Sequence, residues 1–434
     1  MIKPVTSFAR ARWEGIRASY WFIPVCMMFT AFLLGYTLIY YTPEVVSEAV
    51  FKNLIPPVPA EEASDLISAI ATSIITATSI AFSMTLVALT MASSQFGPRL
   101  LQTFMDDRGT QCVLGILTST FIFCLSALHR ISVSDTDLVI SSVLSLIVLA
   151  IGIADTLVLI YYIHHIARFI QVDEIINRCY RECTDNLKNL FALTDEEKGH
   201  HRLAPALIND SPVTTHLSLD KAGYIQTIDY LSLLSGDGID GVKVYVRAGD
   251  YVVPGETIIT VHSSEKLSND SLDFYLSCFV PGKRRTSLQD PEFSLTQLVE
   301  VALRALSPGI NDPITAMTCA DRLTAVCLLM SECEFPCDTV MNSHVDVWMQ
   351  RRTYTFESVL NTAFDQIRQA GSSHVDVMLH LLGCLKTLKE KLPEEYKGTI
   401  QKQVEAVNDL AAPHLHCEKD RKDVAAAVNA AATV

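Results

Sequence analysis

Charge is what this chain has least of. Of its 434 residues, 19% are Asp, Glu, Lys or Arg, against 49% that are hydrophobic. Positive charge is the scarcer sign, with 34 Lys and Arg facing 48 Asp and Glu, a formal net charge of −14. Nucleic acid demands a basic face, so this balance excludes it as a partner. The motifs of familiar catalysis are missing too. There is no GxxxxGKS/T phosphate loop, no GxSxG elbow and no HExxH zinc helix. Enzyme activity is therefore not expected, nor a cofactor. The twelve cysteines do not form the dense, even framework of a secreted scaffold. They read as thiols kept reduced in a cytoplasm. No low-complexity tract and no internal repeat stands out.

What the chain does have is long uncharged runs. The longest covers 33 residues, from Leu66 to Pro98, without one ionisable side chain. At roughly 1.5 Å per residue such a helix reaches about 50 Å, more than a bilayer core requires. Its composition is unusual for lipid. Thr72, Thr76, Ser79, Ser83, Thr90 and Ser94 recur at steps of four, three, four, seven and four. That spacing places them along one side of a helix. Two readings follow. The stripe lines a water-filled path, or it is a packing seam where small residues let membrane helices approach.

Three more runs share this character. Residues 18–43 carry Tyr20 and Trp21 at one end and Tyr40 and Tyr41 at the other, the interfacial aromatics of a retained first span. A third span is expected from Gly109 to about Leu128 and a fourth from Leu138 to about Ile163. Lys and Arg are commonest before the first span, between the second and third, and after the fourth. The positive-inside rule then puts both termini in the cytoplasm. Residues 1–165 carry 8 Lys and Arg against 11 Asp and Glu, so most of the acidity lies in the remaining part.

The expected fold class is membrane α-helical, with four transmembrane helices, plus a cytosolic α+β domain. Its parts are a cytoplasmic segment 1–17, a transmembrane domain 18–165, a helical stalk 166–192, a linker 193–213, a β-module 214–285, a helical domain 286–412 and a loose alanine-rich tail 413–434. In the β-module GYIQTI, VKVYVR and TIITV alternate as short strands, and FYLSCFV at 274–280 reads as another. AGDYVVPGETIITV is similar to the hairpin of barrel-sandwich domains, the lipoyl and efflux-adaptor type, which implies a small β-barrel-like module. No lysine sits at the hairpin tip, so a swinging-arm carrier is not expected. Further on, Asp290 and Pro291 announce a helix, as do Asp312 and Pro313.

Several stretches together carry a wider resemblance. ASSQFGPRLL at 92–101, FMDDRGTQCVLG at 104–115, YYIHHIA at 161–167, GYIQTID at 223–229 and ALRALSPGINDPITA at 302–316 resemble the bacterial predicted membrane proteins of domain of unknown function twenty-two fifty-four. The likeness runs from the first span to about Gly371. It implies a multi-pass protein of the bacterial inner membrane with four spans and a cytosolic domain. It implies no chemistry.

Candidate site residues follow from cost and chemistry. Asp155 lies inside the fourth span, where an acid is expensive and faces a bundle interior or water. It reads as a cation site, relay or gate, or as a buried acid bonded to hydroxyls, perhaps of the second helix. His164 and His165 are adjacent, point about 100° apart and are candidates for pH sensing. Lys283, Arg284 and Arg285 form a basic patch suited to lipid headgroups. Asn311 and Asp312 suit a turn and a helix cap, which accounts for them structurally; a ligand loop there is what the family resemblance implies. Cys179 and Cys183, at i and i+4, make half a zinc site at most, so no metal is expected. The expected function is a homo-oligomeric channel or transport-like protein passing an ion or small solute in contact with membrane lipid. The alternative is a membrane-anchored sensor or scaffold whose spans only anchor and oligomerise.

Overall fold

The computed structural model describes residues 21–45, 56–96, 107–133, 138–196, 201–202, 212–235, 238–331, 333, 335–342, 347–411 and 413–433. Expectations for the segment 1–17 and for the Gly97–Pro98 end of the second span fall outside these. The chain forms two compact units, Met1–Glu174 and Ile175–Val434.

Among the described residues the first unit shows four helices: α1 (Phe22–Val45), α2 (Ala60–Phe96), α3 (Arg108–Val133) and α4 (Leu138–Phe169). Glu61 and Glu62 favour the start of α2, where their charge meets the exposed amides of the first turn. From there Ala63, Ile67, Ala71, Ile74, Thr78, Ala81, Thr85, Ala88 and Ala92 are buried at every third or fourth position. This small-residue seam lets α3 and α4 come close. The early part of α2 packs against the end of α3 and the start of α4, through Ile67, Ala127 and Leu144. Its late part packs against the start of α3 and the end of α4, through Ala81, Leu114 and Tyr162. Hence α2 and α4 run alike and α3 runs opposite. On α1, Pro24 and Met27 face Gly115, and Gly35 faces Phe123 and Ser126, so α1 runs with α3. A Cβ on Gly115 would lie 2.5 Å from the Met27 sulfur and 3.3 Å from the Pro24 Cα, so any larger residue obliges Met27 to move aside. The helices alternate, and α1 starts at the end of the bundle where α4 finishes.

By length and composition, stretches of α2, α3 and α4 are apolar enough to cross a membrane, and Phe22–Thr37 of α1 is a shorter apolar stretch. One more helix qualifies, α9 (Pro313–Ser331), in the second unit. It carries Asp321 and Arg322 midway and packs among α8, α10 and α11, defined below. We read it as the core helix of a globular bundle, buried by neighbours rather than lipid.

The second unit begins with α5 (Val172–Glu196), after a turn at Ile170–Gln171 that separates it from α4. The stalk expected over 166–192 is thus divided. Cys179 and Cys183 of α5 are buried. Asn186 donates to Ser294 at 3.1 Å, and Asn177 accepts from Arg322 at 2.9 Å. There follow β1 (His201–Arg202), β2 (Val213–Ser218), β3 (Gly223–Ile228), α6 (Tyr230–Leu234), β4 (Gly241–Val244), β5 (Tyr251–Val252), β6 (Thr257–Ser263), α7 (Asn269–Ser277) and β7 (Phe279–Gly282). The helical part comprises α8 (Pro291–Ala305), α9, α10 (Phe356–Ala370), α11 (Val375–Lys391), α12 (Glu394–Ala411) and α13 (Glu418–Ala432). Between α9 and α10 lie β8 (Thr339–Asn342) and β9 (Val347–Arg351).

The strands form a six-stranded sheet, β1-β8-β9-β4-β6-β2, and a three-stranded one, β5-β3-β7. Among the described strands only β4 and β9 pair in parallel. No closed barrel is found among the described residues. The hairpin read in AGDYVVPGETIITV splits, because β5 pairs with β3 and β6 with β2 and β4. The turn between them uses Gly255 at φ +84, a conformation open to glycine. The strand expected at 274–280 is mostly the helix α7, because Ser268 caps it by accepting from Ser271 N. The tail expected to be loose is α13. Its Val424 and Ala431 are buried, and the Lys389 ammonium donates to the carbonyls of Ala431 and Ala432 at 3.1 and 2.9 Å.

Candidate functional site

The hydroxyl stripe of α2 lies opposite its buried seam. Thr72, Thr76, Ser79, Ser83, Thr90 and Ser94 are all exposed. Each donates to a carbonyl of α2 itself. Thr76 donates to the carbonyl of Thr72 at 2.8 Å, Ser79 to Ile75 at 2.9 Å and Ser83 to Ser79 at 2.9 Å. Thr72 and Thr90 do the same, and Ser94 bonds one position closer. A hydroxyl bonded this way has spent its proton within its own helix. It keeps a lone pair to offer outward, to water or to a second helix. Ile80, Leu86 and Val87 stand among the hydroxyls as exposed apolar side chains. A groove of about 440 Å³ lies here, lined by Thr76, Ser79, Ser83 and Val87 of α2 and by Ile166 and Ile170 at the other wall.

Asp155 is not on this face. It is 4% exposed and points into the bundle toward α3, where its partner is Thr120. The hydroxyl that meets the acid thus comes from the third helix rather than the second. Its Oδ2 has no hydrogen-bond partner among the described residues. A buried carboxyl with one oxygen unmatched is costly and retains capacity for a proton or a cation. The stripe and the acid, both singled out from sequence, are not brought together.

The two histidines part company as their spacing predicts. His164 is exposed. His165 Nε2 stands 2.8 Å from Asp107 Oδ2, tying the end of α4 to the start of α3. Asp107 also accepts from Thr110 N at 2.9 Å and Thr110 Oγ1 at 2.6 Å. Burial pushes the Asp107 carboxyl up, but the bonds from Thr110 and His165 outweigh it and hold the group below its ordinary value. Gly109 admits the ring, since a Cβ there would lie 2.8 Å from His165 Nε2. Tyr161 and Phe169 flank the imidazole, each with ring centroids 5.7 Å away.

In the second unit, Lys283 and Arg284 are exposed, whereas Arg285 is engaged by the fully buried Asp290. Asp290 also caps α8 by accepting from Phe293 N. Beside it Arg247 grips Glu292 with two bonds, at 2.7 and 3.2 Å, and lies 4.2 Å over the Tyr354 ring. Asn311 takes φ +52, and Asp312 caps α9 by accepting from Thr315 N and Oγ1. Both act as turn and cap, with Ile310 and Ile314 exposed around them. The run 236–241 has GxGxxG spacing but leads into β4. It lacks the helix N-terminus on which a pyrophosphate would rest.

Five buried thiols, Cys179, Cys183, Cys319, Cys327 and Cys384, occupy α5, α9 and α11. Burial pushes Cys179 and Cys327 up to about 12 and Cys384 up to about 11, so these are protonated core groups. One constellation was missed in the sequence. Asp321, His380 and Cys384 converge, with donor atoms all within 4.8 Å of one another. The available signal was the i, i+4 spacing of His380 and Cys384 on one helix face. Their partner Asp321 lies 59 residues from His380 and was not foreseeable.

Comparison with known proteins adds a family. The family described as "Predicted membrane protein (DUF2254)" matches residues 17–387. An uncharacterised protein of Mycobacterium bovis is 28% identical over 381 residues, which covers 86% of this chain and 73% of the relative. An uncharacterised protein of Mycobacterium tuberculosis shows the same figures. No solved structure matches.

Proposed function

The chain belongs to the DUF2254 family of predicted membrane proteins, and on that premise we propose that it is a homo-oligomeric channel or transport-like protein of the bacterial inner membrane. In this reading both termini are cytoplasmic, as the distribution of Lys and Arg suggests. The alternation of α1 to α4 agrees with it. The second unit then serves as a cytosolic assembly or regulatory domain. The observation that carries the proposal is the hydroxyl face of α2. Six polar side chains on a helix of membrane length are exposed among the described residues. Copies of the chain arranged about an axis would place these faces inward, around an ion or small solute.

The test is conductance or solute flux in reconstituted vesicles, paired with the particle symmetry. Ser79→Arg should abolish flux, because a guanidinium at mid-helix blocks the path and repels cations. Flux unchanged by that substitution, or none under any voltage, tension or pH, sinks the proposal.

One observation favours a second reading, a membrane-anchored sensor or scaffold. Every hydroxyl of the stripe is already bonded within α2. Such a face tolerates a dry helix–helix contact as well as water. Cysteines substituted at 76, 79 and 83 discriminate the two. Labelling by a membrane-impermeant thiol reagent supports a wet path, and complete protection supports the dry contact.

A further inference from the structure

Midway along α9, Asp321 faces α11, on which His380 and Cys384 lie one turn apart. The two helices are packed neighbours in the bundle. Three different donors thus meet at one point: a carboxylate, an imidazole and a thiol. His380 Nε2 is 2.7 Å from Asp321 Oδ1, and Cys384 Sγ is 3.7 Å from the same oxygen. Donors around a tetrahedral zinc, with bonds of 2.0–2.3 Å, stand roughly 3.5 Å apart. The thiol–carboxylate separation already has that size. The imidazole need retreat only by roughly 0.8 Å to reach it, within reach of a side-chain rotation at a half-exposed position.

The donor set also restricts the ion. A thiolate disfavours magnesium and calcium, which take oxygen, while imidazole and thiolate together suit zinc and its neighbours. Exposure is graded across the group. Cys384 is buried, the His380 side chain is 33% exposed and that of Asp321 57%. An ion held here would sit at the edge of the core with an open side toward water. Thr324, one turn on from Asp321, hydrogen-bonds the thiol and fixes its direction.

The geometry points to a zinc-class divalent metal site formed by Asp321, His380 and Cys384, with water as the remaining ligand, bracing α9 against α11. It is independent of the transport reading, since it lies wholly within the second unit.

The test uses the full chain in detergent, purified without a polyhistidine tag and stripped with chelator. Cobalt(II) is added first and zinc(II) second. The wild type should bind about one cobalt per chain with a thiolate-to-metal absorption band that zinc then removes. Cys384→Ser should abolish the band. His380→Ala should weaken binding roughly 10- to 100-fold or more. Asp321→Asn, at an exposed position that keeps the fold, should weaken it as well. Cys417→Ser, beside His414 and His416, should change nothing. No band in the wild type, or a band that survives Cys384→Ser, overturns the site. So does equal cobalt affinity in wild type, His380→Ala and Asp321→Asn. Should Cys384→Ser fail to fold, the other two variants decide the matter.

Discussion

On the exposed stripe of α2 each hydroxyl bonds back to its own helix, whereas in the second unit the Arg247 guanidinium reaches across 45 residues to Glu292. The same contrast runs through both units. Between the helices of the first, the polar contacts are few and mostly neutral. Tyr162 donates to the Ala81 carbonyl at 2.7 Å and meets Thr85 at 2.5 Å, and Ser141 donates to the Val58 carbonyl at 2.5 Å. In the second unit charge ties the connecting segments down: Arg247 to Glu292 at the start of α8, Arg285 to Asp290 at its cap, and Arg352 after β9 to Asp250 before β5. The difference follows from what each region offers its surroundings. A helix that can face lipid must satisfy its polar atoms locally, because no solvent will. A globular unit can spend charge on fixing how its layers meet, provided every partner is kept.

The largest effect should come from breaking a charge bond in the second unit. Arg247→Ala leaves Glu292 buried without its cation and should destabilise that unit by about 3–5 kcal/mol. Thermal melting followed by circular dichroism reads this out, and a melting curve unchanged from wild type would erase the contrast. Next, Ala81→Leu overfills the small-residue seam of α2 and should cost about 1–3 kcal/mol. Leu86→Ala, on the exposed face of the same helix, should stay within about 0.5 kcal/mol. Equal costs for these two would mean that the seam is not where the helices meet.

A smaller and pH-dependent effect is expected at the one ion pair of the first unit's described residues. The Asp107 carboxyl is held below its ordinary value of 3.8. Its contribution is therefore present above that pH and is lost as the pH falls through the lowered value. Asp107→Asn should cost about 1.5 kcal/mol at neutral pH and progressively less as the pH falls below 3.8, so the two melting curves converge in acid. Convergence in alkali instead would contradict the assignment. The smallest effect belongs to the stripe. Thr76→Val removes only a bond within α2 and should alter the fold of a single chain by less than about 0.5 kcal/mol. A larger loss, confined to the oligomer, would show that copies pack through this face.

Much of this contrast was legible in the sequence. The steps of three, four and seven between Thr72 and Ser94 placed these residues on one side of a helix because helical geometry leaves no alternative, while the choice between a water path and a packing seam was not legible there. Asp290, Pro291 and Glu292 announced α8 by local capping chemistry, and the structure keeps each role. Where local rules ended, so did the reading. FYLSCFV has strand composition, yet the cap at Ser268 and the packing of Tyr275 turn most of it into helix. AGDYVVPGETIITV has the alternation of a hairpin, but which sheet each strand joins depends on β3 and β6, set by distant partners. The alanines after Glu418 carry no apolar stripe strong enough to announce a docked helix. Asp155 was recognised by its rarity, but its partner on α3 was a matter of tertiary packing. Convergence of Asp321 with His380 and Cys384 is of the same kind.

Lys389 gives the chain's last described helix a further meaning. Its ammonium is buried, and it is held by the Gln401 side chain and by two carbonyls at the end of α13. A protease that clips anywhere before Ala431 removes two of those three acceptors at once. The charge is then stranded in an apolar setting, and α11 and α12 lose the helix that covers them. Damage at the periphery is thereby passed to the centre of the bundle. A trimmed molecule would not linger as a shortened but working copy; it would loosen, expose its core and present itself for degradation.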